Sequence, residues 1–283
     1  MSALPDIRPS PIAGTWYHGR PDALSREVDG YLNRAELPAL PGDVVALIAP
    51  HAGHRYSGAV AGYAFAAVRG RAYDVVAVIS PFHQYASAPL LVSAHRAYET
   101  PLGIVPLDEV ALATLESALR ARAGLTLARI PYDHEHSLEI ELPFLQRALA
   151  GNFQLLPVMV SAQTPQVSQA LGDALAETLR GRNALLVAST DLSHFYDQNT
   201  ALRLDAEMLR RIEAFDPPGI FEAEQTGKGF ACGHAAVAAV LWAARSLGAD
   251  TVTVLRHATS GDVTGDFSSV VGYGAAVITR HSD

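Results

Sequence analysis

The sequence has 283 residues, 49% of them apolar and 18% charged, and its 29 acidic and 21 basic side chains give a formal charge of −8. This composition is typical of a folded, well-packed protein and excludes a disordered, collagen-like or disulfide-rich chain. The acidic excess and the lack of any Lys/Arg run argue against a nucleic-acid partner, and the longest apolar stretch, 235–244, is far shorter than the roughly 20 residues of a membrane span.

Short apolar runs rich in β-branched residues alternate along the chain with longer segments of helical period. In chain order, strands are predicted at 44–49, 74–80, 90–93, 153–160, 184–189, 251–257 and 270–279. Helices are predicted at 22–35, 57–68, 108–122, 136–149, 165–180, 201–215 and 233–247. No interdomain linker or internal repeat interrupts this pattern. We therefore expect an α/β fold, with one domain over residues 1–283 and three α/β/α layers around a largely parallel or mixed central sheet.

The amino terminus and the cysteine count bear on compartment and redox chemistry. Residues 1–8 lack a basic segment followed by an apolar core, so no export signal is predicted and we expect a cytoplasmic protein. The single cysteine, Cys232, excludes an internal disulfide and leaves one thiol for metal binding or nucleophilic chemistry. A small buried core residue is the alternative interpretation of Cys232.

Three predicted strands end in polar side chains that are able to bind a metal. They are His51 after strand 44–49, His83 after strand 74–80, and Asp191 with His194 after strand 184–189. In open α/β sheets the ligand site lies beyond the carboxyl ends of the strands, so we expect these side chains to meet at one edge. Two histidines and one anionic ligand leave open positions on a divalent transition metal for water, dioxygen or substrate.

The residue pattern leaves the anionic third ligand open between Asp191 and Cys232. The thiol precedes an apolar helical segment, and the free N–H groups at a helix amino terminus favour a thiolate. A second polar segment opens the helix predicted at 136–149, where His136 and Glu139 share a face. That pair is predicted either to support a metal ligand or bind substrate, or to be an ordinary acid-rich helix start.

Several common catalytic motifs do not occur in the sequence, among them the nucleophile elbow, the phosphate-binding loop and the zinc-protease helix motif. The neighbouring Asp191, Ser193 and His194 do not predict a nucleophilic triad, because such triads are assembled from separate elements. The turn-rich segment 259–266, which includes Asp262, lacks the spacing of an EF-hand. We expect this segment to line the pocket or to turn the chain.

An ordered set of short motifs covers nearly the whole chain and resembles the Memo family. The motifs are Ala13-Gly-Thr-Trp-Tyr17, Ala49-Pro-His-Ala-Gly53 with Tyr56-Ser57-Gly58, Ser80-Pro-Phe-His83, Glu135-His-Ser-Leu-Glu139, Ser189-Thr-Asp-Leu-Ser-His194, Ala231-Cys-Gly233 and Ser260-Gly-Asp-Val-Thr-Gly-Asp266. Each motif is weakly specific, but the ordered set is specific. The resemblance, which includes the B-type protein of the AmmeMemoRadiSam system, implies one α/β domain similar to the class III extradiol ring-cleavage dioxygenases, which use non-haem iron(II).

The resemblance also implies roles for particular residues. It assigns metal binding to His51, His83 and Cys232, and it places Asp191 and His194 in the same pocket as the expected catalytic residues. His194 is expected to be the base, and Asp191 is expected to orient His194 or a metal-bound water. Iron(II) is the expected metal, with zinc or copper as alternatives. Substrate-binding or supporting roles are expected for His136, Glu139, Tyr56, Phe82 and Asp262.

Two departures from the family pattern limit which properties of the family can be expected of this chain. Phe82 stands where the family commonly has Asn or Ser before the histidine, so the surroundings of His83 are bulkier and more apolar. The extradiol enzymes use a carboxylate as third ligand, whereas Cys232 would supply sulfur and change the redox behaviour of the metal. Ring cleavage therefore does not follow from the resemblance alone.

The leading functional hypothesis is a metal-dependent, dioxygenase-like oxidoreductase that acts on an unknown small organic substrate. A zinc-dependent hydrolase is an alternative, because three protein ligands and a water form a catalytic zinc site. A non-catalytic metal- or peptide-binding protein is another, since the resemblance extends to animal relatives linked to signalling and metal handling. Many bacterial relatives are associated with a radical S-adenosylmethionine protein, which is therefore an expected partner, whereas the oligomeric state is left open.

Overall fold

The computed structural model describes residues 6–281, which form twelve strands and nine helices. The strands are β1 (Ile7–Arg8), β2 (Asp43–Ala49), β3 (Val75–Pro81), β4 (Leu90–Ser93), β5 (Ala97–Thr100), β6 (Gly103–Pro106), β7 (Leu127–Ile130), β8 (Gln154–Val160), β9 (Ala184–Ser189), β10 (His194–Tyr196), β11 (Thr251–Thr259) and β12 (Val270–Arg280). The helices are α1 (Pro21–Arg34), α2 (His54–Ala66), α3 (Glu109–Ala123), α4 (Leu142–Ala148), α5 (Pro165–Leu179), α6 (Gln198–Glu213), α7 (Pro217–Gln225), α8 (His234–Ser246) and α9 (Gly261–Thr264).

A nine-stranded mixed sheet lies at the centre. Its strand order is β10-β12-β2-β9-β3-β8-β4-β7, and β11 pairs with β12. The four central strands β2, β9, β3 and β8 are parallel, whereas β12 is antiparallel to β2 and β4 is antiparallel to β8. Strands β2 and β3 are buried along almost their whole length, as expected for parallel strands covered on both faces. The predicted α/β class with a mixed central sheet is confirmed.

Helices pack on the sheet in two groups. One group contains α1, α2 and α4, which contact one another, and α2 packs on β2, β11 and β12. The other group contains α3, α5, α7 and α8, in which α8 packs on β2, β3 and β9. The sheet between them completes the three layers expected from the alternation of strand and helix patterns. No helix within residues 6–281 has the length and apolar character needed to span a membrane.

The short strands were not predicted from the sequence. Strands β1, β5 and β6 form a separate three-stranded sheet, in which β1 is parallel to β5 and β5 is antiparallel to β6. Strands β7 and β10 lie at the two ends of the main sheet. Each of these five strands has four residues or fewer and no run of three apolar residues, unlike the predicted strand β4 with its apolar residues 90–92. Its local pattern therefore does not indicate a strand, and its conformation depends on the partner strand.

The prediction of one helix over 136–149 is wrong at its beginning. Residues 136–138 lie outside regular helix, a 3-10 turn covers Glu139–Glu141, and α4 begins only at Leu142. Pro143 lies at the first turn of α4, where its fixed φ and missing N–H suit a helix start. The loop before α4 therefore remains free to approach the carboxyl ends of β2, β3 and β9.

Candidate metal centre

The carboxyl edge of the central sheet brings three histidines together. His51 follows β2, His83 follows β3, and His136 lies in the loop before α4. One nitrogen from each ring lies within 4.8 Å of those of the other two. The His83 and His136 rings stack with centroids 4.7 Å apart, and the His51 ring lies edge-on to both, at 5.2 and 5.6 Å. Three imidazole nitrogens at this separation fit a divalent transition metal as a donor set.

The carboxylate of Glu135 fixes the orientation of His83. His83 donates its backbone N–H to Oε2 of Glu135 at 2.7 Å, and its Nδ1 lies 2.8 Å from Oε1. Glu135 is buried and also accepts the backbone N–H groups of His136 and Ser137, each at 3.0 Å. Because a carboxylate accepts from Nδ1–H, the lone pair of His83 is on Nε2, the nitrogen left for a ligand.

The pKa values of the cluster follow from burial and from Glu135. Burial raises the pKa of Glu135, but the hydrogen bonds and charge of His83 outweigh it and hold that pKa well below its usual range. Burial lowers the pKa of His83, but Glu135 outweighs it and the net shift is upward. Burial and the neighbouring imidazoles lower the pKa of His51 well below 6.5, and burial lowers that of His136 to about 4. His51 and His136 therefore present neutral rings near pH 7.

Two residues at the end of β9 hold His51. Its Nδ1 lies 3.0 Å from the hydroxyl oxygen of Ser189, and Asp191 Oδ1 accepts the backbone N–H groups of His51 and Ala52 at 2.8 and 3.2 Å. Burial raises the pKa of Asp191 to about 7, although those two N–H groups act in the opposite direction. The predicted site residue Asp191 thus lies beside the cluster, where it orders the loop that carries His51.

Cys232 lies beside the cluster, with its sulfur 3.2 Å from Nε2 of His51 and 3.3 Å from the backbone nitrogen of Asp191, which donates to it. The sulfur is not a member of the group of three mutually close donors. Burial and then the charge of Asp191 raise the pKa of the thiol well above its ordinary value. A Cβ at Gly233 would lie 2.4 Å from the Ser189 carbonyl oxygen, so glycine permits this close approach to β9.

His194 is partly buried and near the cluster. Its Nδ1 lies 2.8 Å from the carbonyl oxygen of Leu192, so Nδ1–H donates there and Nε2 keeps the lone pair. Burial lowers the pKa of His194, and a positive charge on His83 lowers it further. His194 bonds Leu192, and the described hydrogen bonds of the Asp191 carboxylate go to the loop after β2. The ring is therefore oriented by backbone.

An apolar pocket of about 490 Å³ lies next to the histidines. Aromatic side chains supply much of its wall: Trp16, Tyr56, Phe195 and Tyr273. Trp16 also packs against His136 with ring centroids 4.2 Å apart, so one side chain separates the pocket from the cluster. The predicted substrate residue Tyr56 therefore lies on a cavity of a size that accommodates a small organic molecule.

The structure places the other predicted site residues in different surroundings. Phe82 packs partly buried against the core. Glu139 is fully buried and binds Arg8, Ser10 and the Tyr17 hydroxyl, the last at 2.7 Å. Asp262 is exposed and accepts the backbone N–H of Thr259 at 2.7 Å, outside the residues that line the 490 Å³ pocket.

A buried arginine organises the loop of Glu135 and His136, and the sequence gives no local indication of it. Arg8 is fully buried, with its Nε 2.8 Å from Asp133 and its Nη1 2.5 Å from Glu139. It also donates from Nη2 to the Glu135 carbonyl oxygen at 2.7 Å. Its partners are more than 120 positions away in the chain, so no sequence spacing reveals the contact. Glu135 was also not among the predicted site residues, but its position next to His136 is a local signal for a supporting carboxylate.

Comparison with known proteins identifies what the chain is similar to. A family model described as Memo-like protein matches residues 8–277. A MEMO1 family protein of Thermotoga neapolitana is 38% identical, over 96% of this chain and 100% of the relative. A MEMO1 family protein of Methanothermobacter thermautotrophicus is 36% identical, over 94% of this chain and 98% of the relative. Among solved structures, an uncharacterized protein, JW3007, from Escherichia coli K12 is 16% identical with a TM-score of 0.48, over 84% of this chain and 100% of that chain.

Proposed function

The chain belongs to the Memo family, and we propose that it is a metal-dependent, dioxygenase-like oxidoreductase that acts on a small organic substrate. The observation that carries the proposal is the convergence of the His51, His83 and His136 rings beside an apolar pocket of about 490 Å³. The Trp16 ring lies between the clustered nitrogens and this substrate-sized cavity, and their proximity supports metal-assisted chemistry on a bound molecule.

His51 and His83 would hold the metal, with either Cys232 or His136 as the third protein ligand. Cys232 is adjacent to His51, whereas His136 is mutually close to both other histidines. When bound, iron(II) supplies one-electron chemistry and open positions for dioxygen and substrate.

The side chains around the cluster prepare it for that chemistry. Glu135 holds His83 with Nε2 free, and Asp191 orders the loop of His51. The aromatic side chains of the pocket offer apolar surface on which an apolar substrate packs. His194 has a free Nε2 and a pKa lowered by burial, so it accepts a proton from a substrate hydroxyl near neutral pH.

A zinc-dependent hydrolase is a second candidate, which the donor set itself favours. Three neutral imidazole nitrogens form a zinc site that keeps a fourth position for water. The lowered pKa values of His51 and His136 are consistent with such neutral donors. Dependence of turnover on dioxygen separates the two candidates, because hydrolysis requires none.

The metal and its third ligand are tested together by purifying the protein without oxygen and measuring bound metals by mass spectrometry. We expect about one iron per chain in the wild type, and His51→Ala should lose it. Comparison of Cys232→Ala with His136→Ala identifies the third ligand as the one whose removal abolishes retention. His134→Ala is the matched control, because that histidine is exposed two positions from His136.

Other results of this experiment discriminate among the functions. Stoichiometric zinc with oxygen-independent turnover would favour the hydrolase. If no metal binds even after anaerobic reconstitution, both enzymatic proposals are wrong and a binding role remains.

Once the metal is identified, His194→Ala should keep it and lose oxygen uptake with catechol-like substrates. If this variant keeps both the metal and the oxygen uptake, the proposed role of His194 is wrong.

A further inference from the structure

Glu141 is a buried carboxyl group that the proposed chemistry does not use. It lies in the 3-10 turn before α4 and is only 1% exposed. Its Oε2 is completely buried and has no hydrogen-bond partner among the described residues. Its Oε1 lies 2.6 Å from the hydroxyl oxygen of Ser189. An ionised carboxylate with one orphaned oxygen is expensive to bury, so the protonation state of this group requires an explanation.

The contacts of Ser189 determine where the protons lie. Its hydroxyl oxygen is 2.6 Å from the Ser137 carbonyl oxygen, 2.6 Å from Glu141 Oε1 and 3.0 Å from His51 Nδ1. Two oxygens at 2.6 Å require a hydrogen between them, and the serine hydroxyl has only one to donate. The Ser137 carbonyl cannot donate, so the serine hydrogen goes there. The hydrogen in the contact with Glu141 must then come from Glu141.

We infer that Glu141 is a neutral, protonated carboxylic acid that donates to Ser189 and thereby acts as a positioning residue for His51. With one hydrogen donated and one accepted, the Ser189 oxygen has a lone pair left for Nδ1–H of His51. His51 is thus held as the Nδ1–H tautomer, with the lone pair of Nε2 directed to the side where Cys232 lies.

The surroundings of Glu141 favour the neutral form. Burial raises the pKa of its carboxyl group well above the usual range, the hydrogen bond with Ser189 acts against this shift, and the nearby charge of Asp191 adds to it. The same hydroxyl also contacts the backbone of Ser137, the residue that follows His136 in the chain. The protonation state stands on these contacts alone, whereas the positioning role rests on the proposed function of His51 as a ligand.

The protonation state is tested by infrared difference spectroscopy on the metal-free protein. A protonated carboxyl group has a carbonyl stretch that an ionised carboxylate lacks. We expect this band at pH 7 in the wild type and its loss in Glu141→Gln, and the difference spectrum isolates it from other buried carboxyls. Glu116→Gln, at a partly exposed position of α3, is the control and should remove only a carboxylate band. If Glu141→Gln also removes only carboxylate bands, the inference is wrong.

The positioning role is tested by calorimetric titration with zinc(II). Glutamine keeps an N–H donor toward Ser189, so Glu141→Gln should bind zinc within about threefold of the wild type, whereas Glu141→Leu should lose about 10- to 100-fold. Equal losses in both variants would contradict the role of the donated hydrogen. Weak zinc binding by the wild type would instead count against the proposed metal site, while the infrared result would still decide the state of Glu141.

Discussion

The central sheet has one edge formed by the amino ends of its parallel strands and another formed by their carboxyl ends. The cavities at these two edges differ in their chemistry. The larger cavity, about 870 Å³, lies at the amino ends of β2 and β9 and is lined by four arginines: Arg71, Arg180, Arg182 and Arg280. The smaller pocket, about 490 Å³, lies at the carboxyl edge beside the histidine cluster. Cavity size alone does not identify the candidate metal centre, because the three histidines lie beside the smaller pocket, behind Trp16.

The direction of the helices also differs between the two edges. At the carboxyl edge α2 and α8 begin, whereas at the amino edge α5 ends and Arg180 follows it directly. Carbonyl groups at helix carboxyl ends carry partial negative charge and are stabilised by arginine. Arg280, for example, donates to the Leu247 carbonyl oxygen at the end of α8 at 3.4 Å. Arg280 in the larger cavity therefore has a structural role at a helix end.

The largest expected effect is the loss of stability when the buried Arg8, near the carboxyl edge, is replaced. The exposed Arg180 at the amino edge is the comparison. Arg8→Met leaves Asp133 and Glu139 buried without their cation, so we expect the free energy of unfolding to fall by about 3–5 kcal/mol. Urea denaturation measures this loss. A variant as stable as the wild type would show that the Arg8 network does not organise the loop of His136.

Removal of a proposed ligand is expected to have the next largest effect. His83→Ala deletes one of the clustered nitrogens, and we expect metal affinity to fall more than about 100-fold, beyond the usual loss from a supporting residue. Calorimetric titration measures the affinity, with circular dichroism as a check on folding. A loss below tenfold would exclude His83 from the ligand set.

Glu135→Gln should have a smaller effect on metal binding, about 10- to 100-fold, because it weakens only the support of His83. The same change should lower the pKa of His83 in the metal-free protein. Burial lowers that pKa and Glu135 raises it, so burial is unopposed once the charge is gone. Proton NMR titration of the imidazole measures the shift, and an unchanged or higher pKa would be the contrary result.

The smallest effect is expected at the amino edge. Arg180→Met removes an exposed cation that follows α5, so stability should change by no more than about 0.5 kcal/mol. Metal affinity should equal that of the wild type, because the side chain lies at the opposite edge of the sheet from the histidines. A tenfold change in metal affinity would mean that the two edges are coupled.

Much of the fold and part of the site followed from local pattern. The buried apolar runs of β2 and β3 indicated parallel strands, and their carboxyl ends indicated that His51 and His83 would meet. The third histidine, which joins His51 and His83, was harder to predict. His136 and Glu139 were expected on one helical face, but the chain there is a loop and a 3-10 turn, so His136 joins the histidines while Glu139 binds Arg8.

The sequence by itself determined the family, the α/β class and the two histidines at the strand ends, because periodicity and strand termini are local properties that short motifs record. Only the tertiary structure decided the supporting contacts, such as Arg8 with Asp133 and Ser189 with Glu141. These contacts join residues 125 and 48 positions apart. These hydrogen bonds and ion pairs offset the cost of removing polar groups from water inside the fold, and no local sequence pattern encodes which groups meet there.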